Sequence, residues 1–209
     1  MRADRVVRSI VTLTAALSAQ PLVAAGAQEP FGEPAEVTCP APLGVGQRTA
    51  LSFCDVLIAR DAAEGLRIAV PPGLRRRASE LRFALHNRHT YSEQQVRAGT
   101  AFAHYTAVVD VYGGEGELLA RAAVDSEFRT AEDLVDRVGG GAGPEGMKAV
   151  APTGTERVIV RLPANVAEVF IVGERLTIER LDGLASFSTA GRPIAVISDV
   201  RVGPAIDRD

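Results

Sequence analysis

The chain has 209 residues, of which 46% are hydrophobic, 23% charged and 5% aromatic, and its formal net charge is −3. This composition is typical of a globular protein and excludes an intrinsically disordered chain. The mildly acidic charge argues against nucleic acid as a partner, because a general nucleic-acid binder needs a basic surface. We therefore expect one globular domain with a sizeable core.

The first 27 residues have the pattern of a secretory signal peptide. Arg2, Arg5 and Arg8 precede a short apolar run, which ends in the letters A-G-A at residues 25–27. A basic start, an apolar centre and an A-x-A end predict cleavage after Ala27. The run is too short and too polar to span a bilayer, so the sequence predicts no membrane insertion. We expect a soluble mature protein in the periplasm or outside the cell.

Cys39 and Cys54 are the only two cysteines in the sequence. An even pair in an exported protein predicts a disulfide, because that environment is oxidising. The alternative, a two-thiol metal site, lacks both a C-x-x-C spacing and a nearby histidine. The disulfide would attach an extended Pro- and Gly-rich lead-in, residues 28–48, to the first predicted strand.

Short β-prone segments separated by turns predict an all-β domain over residues 49–203, followed by a tail at 204–209. Alternating apolar residues between Ser79 and Phe128 predict a three-stranded antiparallel meander with a tight turn at Gly113–Gly116. One short helix is predicted at Thr130–Val138, which has an N-cap threonine and a glycine stop. The other strands are predicted, in chain order, at residues 49–59, 66–70, 156–162, 166–172, 176–181, 185–188 and 194–202.

This number of short strands predicts a two-sheet antiparallel β-sandwich. The architecture is similar to that of immunoglobulin and fibronectin domains. The chain contains no Trp, however, so the Cys…Trp…Cys pattern of true immunoglobulin domains is absent. The similarity therefore implies an arrangement of sheets and no particular activity.

Three histidines, His86, His89 and His104, flank a single connection. If the strands on either side form a hairpin, His86 and His104 lie on the same non-core face, with His89 and Glu93 in the loop beside them. Imidazoles with a carboxylate are typical ligands of zinc or copper, so a transition-metal site, in a metal-binding protein or a metal-dependent enzyme, is an alternative hypothesis. The alternative is a hydrogen-bonded strand end, because H-x-x-H lacks the Glu of the metalloprotease motif. The sequence implies no other cofactor.

A glycine-rich segment around Gly141, Gly143 and Gly146 matches G-x-G-x-x-G letter for letter. Dinucleotide binding requires a strand before this motif and a helix after it. Here a predicted helix precedes the motif and a proline interrupts it, so we expect a flexible surface loop. Long glycine loops can bind partners. The loop, with Glu145 and Lys148, is therefore a second candidate contact surface.

No catalytic motif is recognisable elsewhere, so the sequence predicts a non-enzymatic binding or assembly module of the cell envelope. Its expected partner is another envelope protein or a glycan. A carbohydrate-binding module is an alternative, with Tyr91 and Tyr112 as its solvent-facing aromatic residues. An unpaired edge strand at Ile194–Val202 would instead favour partners that bind by adding a strand.

Overall fold

The computed structural model describes residues 31–206, and the predicted signal peptide lies outside them. Two antiparallel β-sheets pack face to face, which confirms the predicted all-β sandwich. The strands are β1 (Glu33–Pro34), β2 (Glu36–Thr38), β3 (Pro42–Val45), β4 (Ser52–Leu57), β5 (Leu66–Ala69), β6 (Ser79–Thr90), β7 (Ala103–Gly113), β8 (Leu118–Phe128), β9 (Val150–Leu162), β10 (Glu168–Arg180), β11 (Gly183–Phe187) and β12 (Pro193–Pro204). One α-helix, α1 (Glu93–Arg97), occurs in this part of the chain, with 3-10 turns at Ala62–Glu64, Pro72–Leu74, Ala131–Asp133 and Pro144–Gly146.

Sheet I has the strand order β3-β4-β12-β6-β9, with β1 beside the second half of β12. Sheet II has the order β2-β5-β10-β7-β8, with β11 beside the end of β10. The edge position considered for Ile194–Val202 is not observed, because β12 lies between β4 and β6. The long outermost strands are β9 in sheet I and β8 in sheet II.

The predicted three-stranded meander is only half present. β7 and β8 form the expected hairpin, whereas β6 belongs to the opposite sheet and pairs with β12 and β9. Alternation determines which face of a strand is buried, but it does not determine the strand's partner. The connection between Thr90 and Ala103 therefore crosses from one sheet to the other and closes one end of the sandwich.

The core lies between the sheets and follows the predicted alternation. Leu81, Phe83 and Leu85 of β6 are at most 1% exposed. Burying each such side chain contributes about 1.5–3 kcal/mol to folding. The facing residues of β7, also buried, are Tyr105, Ala107, Val109 and Val111.

The predicted disulfide between Cys39 and Cys54 is confirmed, with the two Cα atoms 6.0 Å apart. It fastens the segment after β2 to β4. The lead-in contains β1, β2 and β3, which pair with β12, β5 and β4. The described strands thus begin at Glu33, before the predicted domain start at residue 49. The lead-in has no apolar alternation of its own, but neighbouring strands supply hydrogen-bond partners to its backbone.

The helix predicted at Thr130–Val138 is reduced to the 3-10 turn Ala131–Asp133, with a capping box at Thr130. The chain then extends, and Leu134 bridges to Thr153 of β9. A helix this short is marginal in water, so strand contacts outweigh its local signals. The observed α1 begins after Ser92, whose hydroxyl accepts a hydrogen bond from the Gln95 amide. No helix among the residues described has the length and apolar character needed to cross a bilayer.

Residues 134–149, which we call the covering segment, pack on the outer face of sheet I. A second hydrophobic cluster forms beneath them from Leu43, Phe53, Val138 and Val196. The carboxylate of Asp136, in this segment, accepts hydrogen bonds from the amide and the hydroxyl of Thr49 at 2.8 and 2.6 Å. The first part of the covering segment is therefore packed, whereas residues 142–146 of the glycine-rich stretch are exposed at the surface.

Candidate functional site

A cavity of about 560 Å³ lies beside the disulfide, between β1–β2 and β3–β4. Its walls include the apolar side chains of Val37, Leu51 and Val200. Two charged residues in its wall, Asp199 and Arg201, are already paired with each other at 2.8 Å. This cavity therefore offers a polar ligand few unused hydrogen-bonding groups.

A more polar cavity, of about 630 Å³, lies at the closed end of the sandwich, where the chain crosses from β6 to β7. We call it the end cavity. Its wall is formed by the end of β6, by α1 and the loop that follows it, by the start of β7 and by the turn between β10 and β11. Its hydrogen-bonding side chains include those of His89, Gln95, Thr100, Tyr105, Arg180 and Asp182.

The inner wall of the end cavity is a buried histidine–tyrosine pair. His89 of β6 and Tyr105 of β7 are 4% and 3% exposed, because both lie in the inward phase of their strands. Nδ1 of His89 is 2.7 Å from the Tyr105 hydroxyl. The imidazole also stacks on Phe128 with ring centroids 3.6 Å apart. The pair is thus held by both sheets.

The electrostatics of the pair keep both side chains uncharged at neutral pH. Burial lowers the pKa of His89 to about 4, and the positive charge of Arg180 acts in the same direction, whereas Asp133 opposes it. Burial raises the pKa of Tyr105, while the positive charge of the nearby Arg180 acts in the opposite direction. Neither group titrates near pH 7.

His89 is bonded through one ring nitrogen only. Nδ1 faces the Tyr105 hydroxyl, whereas Nε2 has no hydrogen-bond partner among the described residues.

The three histidines lie in three different environments. His86 and His104 both face away from the core, as predicted, but on opposite outer faces of the sandwich, while His89 lies inside. Burial lowers the pKa of His86. The exposed Asp125, 2.9 Å from Nε2 of His104, raises the pKa of His104 chiefly by a hydrogen bond. The metal hypothesis depended on a hairpin between β6 and β7, and that prediction is wrong because the two strands lie in different sheets.

Glu93, the carboxylate proposed to complete the metal site, lies in α1 and accepts a hydrogen bond from the Tyr91 hydroxyl at 2.5 Å. No group of three or more His, Cys, Asp or Glu side chains suited to a metal ion exists within residues 31–206. The structure thus does not bring together the residues that the sequence suggested as metal ligands.

Ser198 and His86 form a pair that resembles a nucleophile and its base. The Ser198 hydroxyl is 2.9 Å from Nε2 of His86, and Nδ1 is 2.8 Å from the carbonyl oxygen of Gly154. Activated serines show this kind of arrangement. Both side chains are, however, only 2% exposed on the outer face of sheet I, so a substrate does not reach them. We assign the pair a structural role.

The glycine-rich segment is a compact turn within the covering segment and does not line the end cavity. The Gly141 amide donates to the Gly146 carbonyl at 2.8 Å, and the Gly143 amide donates to Met147 at 3.1 Å. Lys148 donates through Nζ to the carbonyl of Leu43 in β3. Glu145 at its tip is exposed, with a left-handed φ of 56°. The turn is thus a surface turn, closed by its own backbone hydrogen bonds and joined to β3 through Lys148.

The two tyrosines considered for a glycan platform lie at opposite ends of β7. Tyr91 packs edge-on against Phe128 near the start of β7. Tyr112 lies near the other end, where its hydroxyl donates to Asp110 at 3.2 Å. They do not form a common flat surface.

Most residues of the end cavity were not among the candidates from sequence. One available signal was Tyr105, which occupies an inward position and carries a hydroxyl that needs a buried partner. His89 is inward by the same alternation, two positions after Asn87. Arg180, at the end of β10, and Asp182, in the turn that follows, gave no signal, because both are distant in sequence from the rest of the wall.

Comparisons with known proteins add little. No family model and no curated protein matches the chain. Among solved structures, it is similar to the K3 cleaved adhesin domain of Lys-gingipain from Porphyromonas gingivalis W83, with 12% identity and a TM-score of 0.35, over 76% of this chain and 77% of that chain. A similarity this distant carries no conclusion about function.

Proposed function

We propose that this chain is an exported, non-enzymatic binding module and that the end cavity is its ligand site. The supporting observation is the convergence of hydrogen-bonding side chains from both sheets on one cavity of about 630 Å³. Sites for small molecules typically have volumes of about 300–1,000 Å³. The loops at the end of a β-sandwich are also a common place for binding sites.

The acid–base properties of the cavity favour binding over catalysis. A general acid or base works best with a pKa near the operating pH. Burial moves the pKa of His89 down to about 4 and that of Tyr105 up, so both move away from neutrality. The hydrogen bond between His89 and Tyr105 therefore holds the two side chains in place, and neither side chain transfers a proton to a substrate.

The proposed location is the periplasm or the outside of the cell, and the proposed partner is a component of the cell envelope. The signal-peptide pattern supports this location, and so does the Cys39–Cys54 disulfide, because such bonds persist in oxidising compartments. The ligand would then be a small polar molecule, or an exposed part of a larger envelope molecule, that enters the end cavity.

The proposal can be tested by a ligand-observed NMR screen of the mature protein. The library would contain small sugars, amino acids, nucleosides and carboxylic acids. A Thr100→Trp variant supplies the blocked control, because Thr100 is exposed on the cavity wall and a tryptophan there would fill the space. We expect at least one compound to bind the wild type and not the variant. Binding of no compound, or equal binding to both proteins, would refute the proposal.

A further inference from the structure

We infer that β11 is a dimerisation strand, whose free edge pairs antiparallel with β11 of a second copy of this chain. The inference goes beyond the proposed function and does not depend on a ligand in the end cavity. It is carried by three features of this strand: an unpaired edge, the absence of charge, and two exposed leucines.

One edge of β11 has no strand beside it among residues 31–206. All five residues of Gly183–Phe187 pair with β10, and no other described strand pairs with β11. The register between β11 and β10 contains no bulge, so the free edge is regular. Alternate residues of an edge strand direct an N–H and a C=O away from the sheet, where a further strand can pair with them.

The sequence does not protect this edge. Proteins usually block a free edge with charged residues, proline or a bulge. The stretch at residues 183–191, G-L-A-S-F-S-T-A-G, contains no charged residue and no proline. The two long outermost strands differ from it, because each carries three charged residues, which are Arg121, Asp125 and Glu127 in β8 and Glu156, Arg157 and Arg161 in β9.

Two leucines beside the free edge are exposed to solvent. Leu184 of β11 is 73% exposed, and Leu181 in the turn before it is 69% exposed. They are the two most exposed large hydrophobic residues in the part of the chain that the structure describes. Exposed apolar side chains next to an unpaired strand mark a site for association with another strand.

The two ends of the described chain lie far from β11. The Arg82 guanidinium lies over the Phe31 ring, and the Ile206 amide donates to Glu80, so both ends lie near the start of β6. β11 lies at the opposite end of the sandwich and in the other sheet, because it pairs with the part of β10 that reaches the end cavity at Arg180. We therefore assign the free edge to another molecule.

The sequence of β11 suits a second copy of itself. Only the antiparallel register centred on Ala185 pairs all five residues of one copy with all five of the other, about a two-fold axis. It places Gly183 of one copy opposite Phe187 of the other, and Leu184 opposite Ser186, so each large side chain meets a small one.

This register also brings the two Leu184 side chains together. They become diagonal neighbours across the strand pair, at about 7–8 Å between Cα atoms, which is within reach of leucine side chains. Because β11 carries no charge, no like charges face each other in the pair. A single five-residue strand pair is smaller than a standard interface, so we expect a weak dimer with a Kd of about 10–100 μM.

Sedimentation equilibrium of the mature protein at about 5–500 μM tests the inference. We expect a monomer–dimer equilibrium whose Kd rises at least about tenfold in Leu184→Lys, because two lysines then meet at the centre of the pair. Leu118→Lys is the matched control, since Leu118 is an exposed leucine on another outermost strand, β8, and its replacement should leave the Kd unchanged. Both variants should keep the wild-type circular dichroism spectrum, because both leucines are exposed.

Amide chemical shifts followed on dilution locate the contact. We expect concentration-dependent shifts at residues 181–189 in the wild type and their loss in Leu184→Lys. A protein that stays monomeric over the whole range would overturn the inference, even if a peptide from another protein bound to β11. Shifts that cluster at β8 or β9, or an equal rise of the Kd in both variants, would also overturn it.

Discussion

The Tyr105 hydroxyl and Nδ1 of His89 lie 2.7 Å apart, and this contact joins β7 of sheet II to β6 of sheet I. Each group is polar and lies in an apolar interior, so each compensates for the desolvation of the other. Because the pair also forms the inner wall of the end cavity, the packing of the two sheets and the geometry of the proposed site depend on the same hydrogen bond.

Replacing Tyr105 with phenylalanine should destabilise the fold. The change leaves Nδ1 of the buried His89 without a partner, which costs about 1–3 kcal/mol of unfolding free energy. The double variant Tyr105→Phe/His89→Leu should lose less unfolding free energy than the two single variants lose together, because removing both polar partners leaves no unpaired group. Denaturant titrations of the four proteins measure this. Additive losses would contradict the assigned contact.

The stability of the protein should fall as the pH is lowered from 6.5 to about 4, partly because of His89. Its pKa is about 4 in the folded state, against an ordinary value of 6.5. Between these values the unfolded chain binds a proton that the folded chain excludes, so His89 stabilises the fold above pH 6.5. That contribution, about 3 kcal/mol at most, is lost as the pH approaches 4.

The measurement is the difference in unfolding free energy between the wild type and a His89→Leu variant, followed from pH 7 to pH 4. Other groups with lowered pKa values, such as His86, occur in both proteins and largely cancel. As the pH falls, we expect the wild type to lose more unfolding free energy than the His89→Leu variant. A difference that is constant with pH would show that His89 is not buried in its neutral form.

Removing the Asp136 carboxylate should loosen the covering segment. Asp136 is 5% exposed, and it accepts hydrogen bonds from the backbone amides of Arg48 and Thr49. Burial acts to raise its pKa, but the hydrogen bond from the Thr49 hydroxyl, together with those from the backbone amides, outweighs burial and lowers it. We expect Asp136→Ala to cost about 2–3 kcal/mol. Amide hydrogen exchange should speed up across residues 134–149.

The matched control is Glu145→Ala in the same segment. Glu145 is exposed at the tip of the turn, so its removal should change stability by less than about 0.5 kcal/mol. Equal effects of the two substitutions would mean that the segment is not anchored through Asp136.

Replacing both cysteines with alanine should lower the unfolding free energy by about 3 kcal/mol, because Cys39 and Cys54 close a loop with a sequence separation of 15. Denaturant titration of the double variant measures the loss. Wild-type protein in a strong reductant should show a similar decrease. An oxidised wild type no more stable than the variant would contradict a stabilising role.

The sandwich could be predicted from the sequence, because alternation is a local property. Leu81, Phe83 and Leu85 alternate with more polar residues, and they are buried as this pattern requires. Strand partners could not be predicted, because pairing depends on contacts far apart in sequence. The wrong partner for β6 placed His86 and His104 on one face, and the metal hypothesis followed from that error.

The end cavity was even less accessible to prediction. Its wall combines His89 of β6 with Arg180 at the end of β10, and only the completed fold brings them together. The disulfide was predictable for the opposite reason, since two cysteines allow a single pairing.

The central claim, that the end cavity is the ligand site, is tested most directly by mapping amide chemical-shift changes as the best compound of the screen is added. We predict the largest changes between Thr90 and Ala103 and at Arg180–Asp182, and their loss in the Thr100→Trp variant. Changes that cluster elsewhere, such as around the apolar cavity beside Cys39, would contradict the claim.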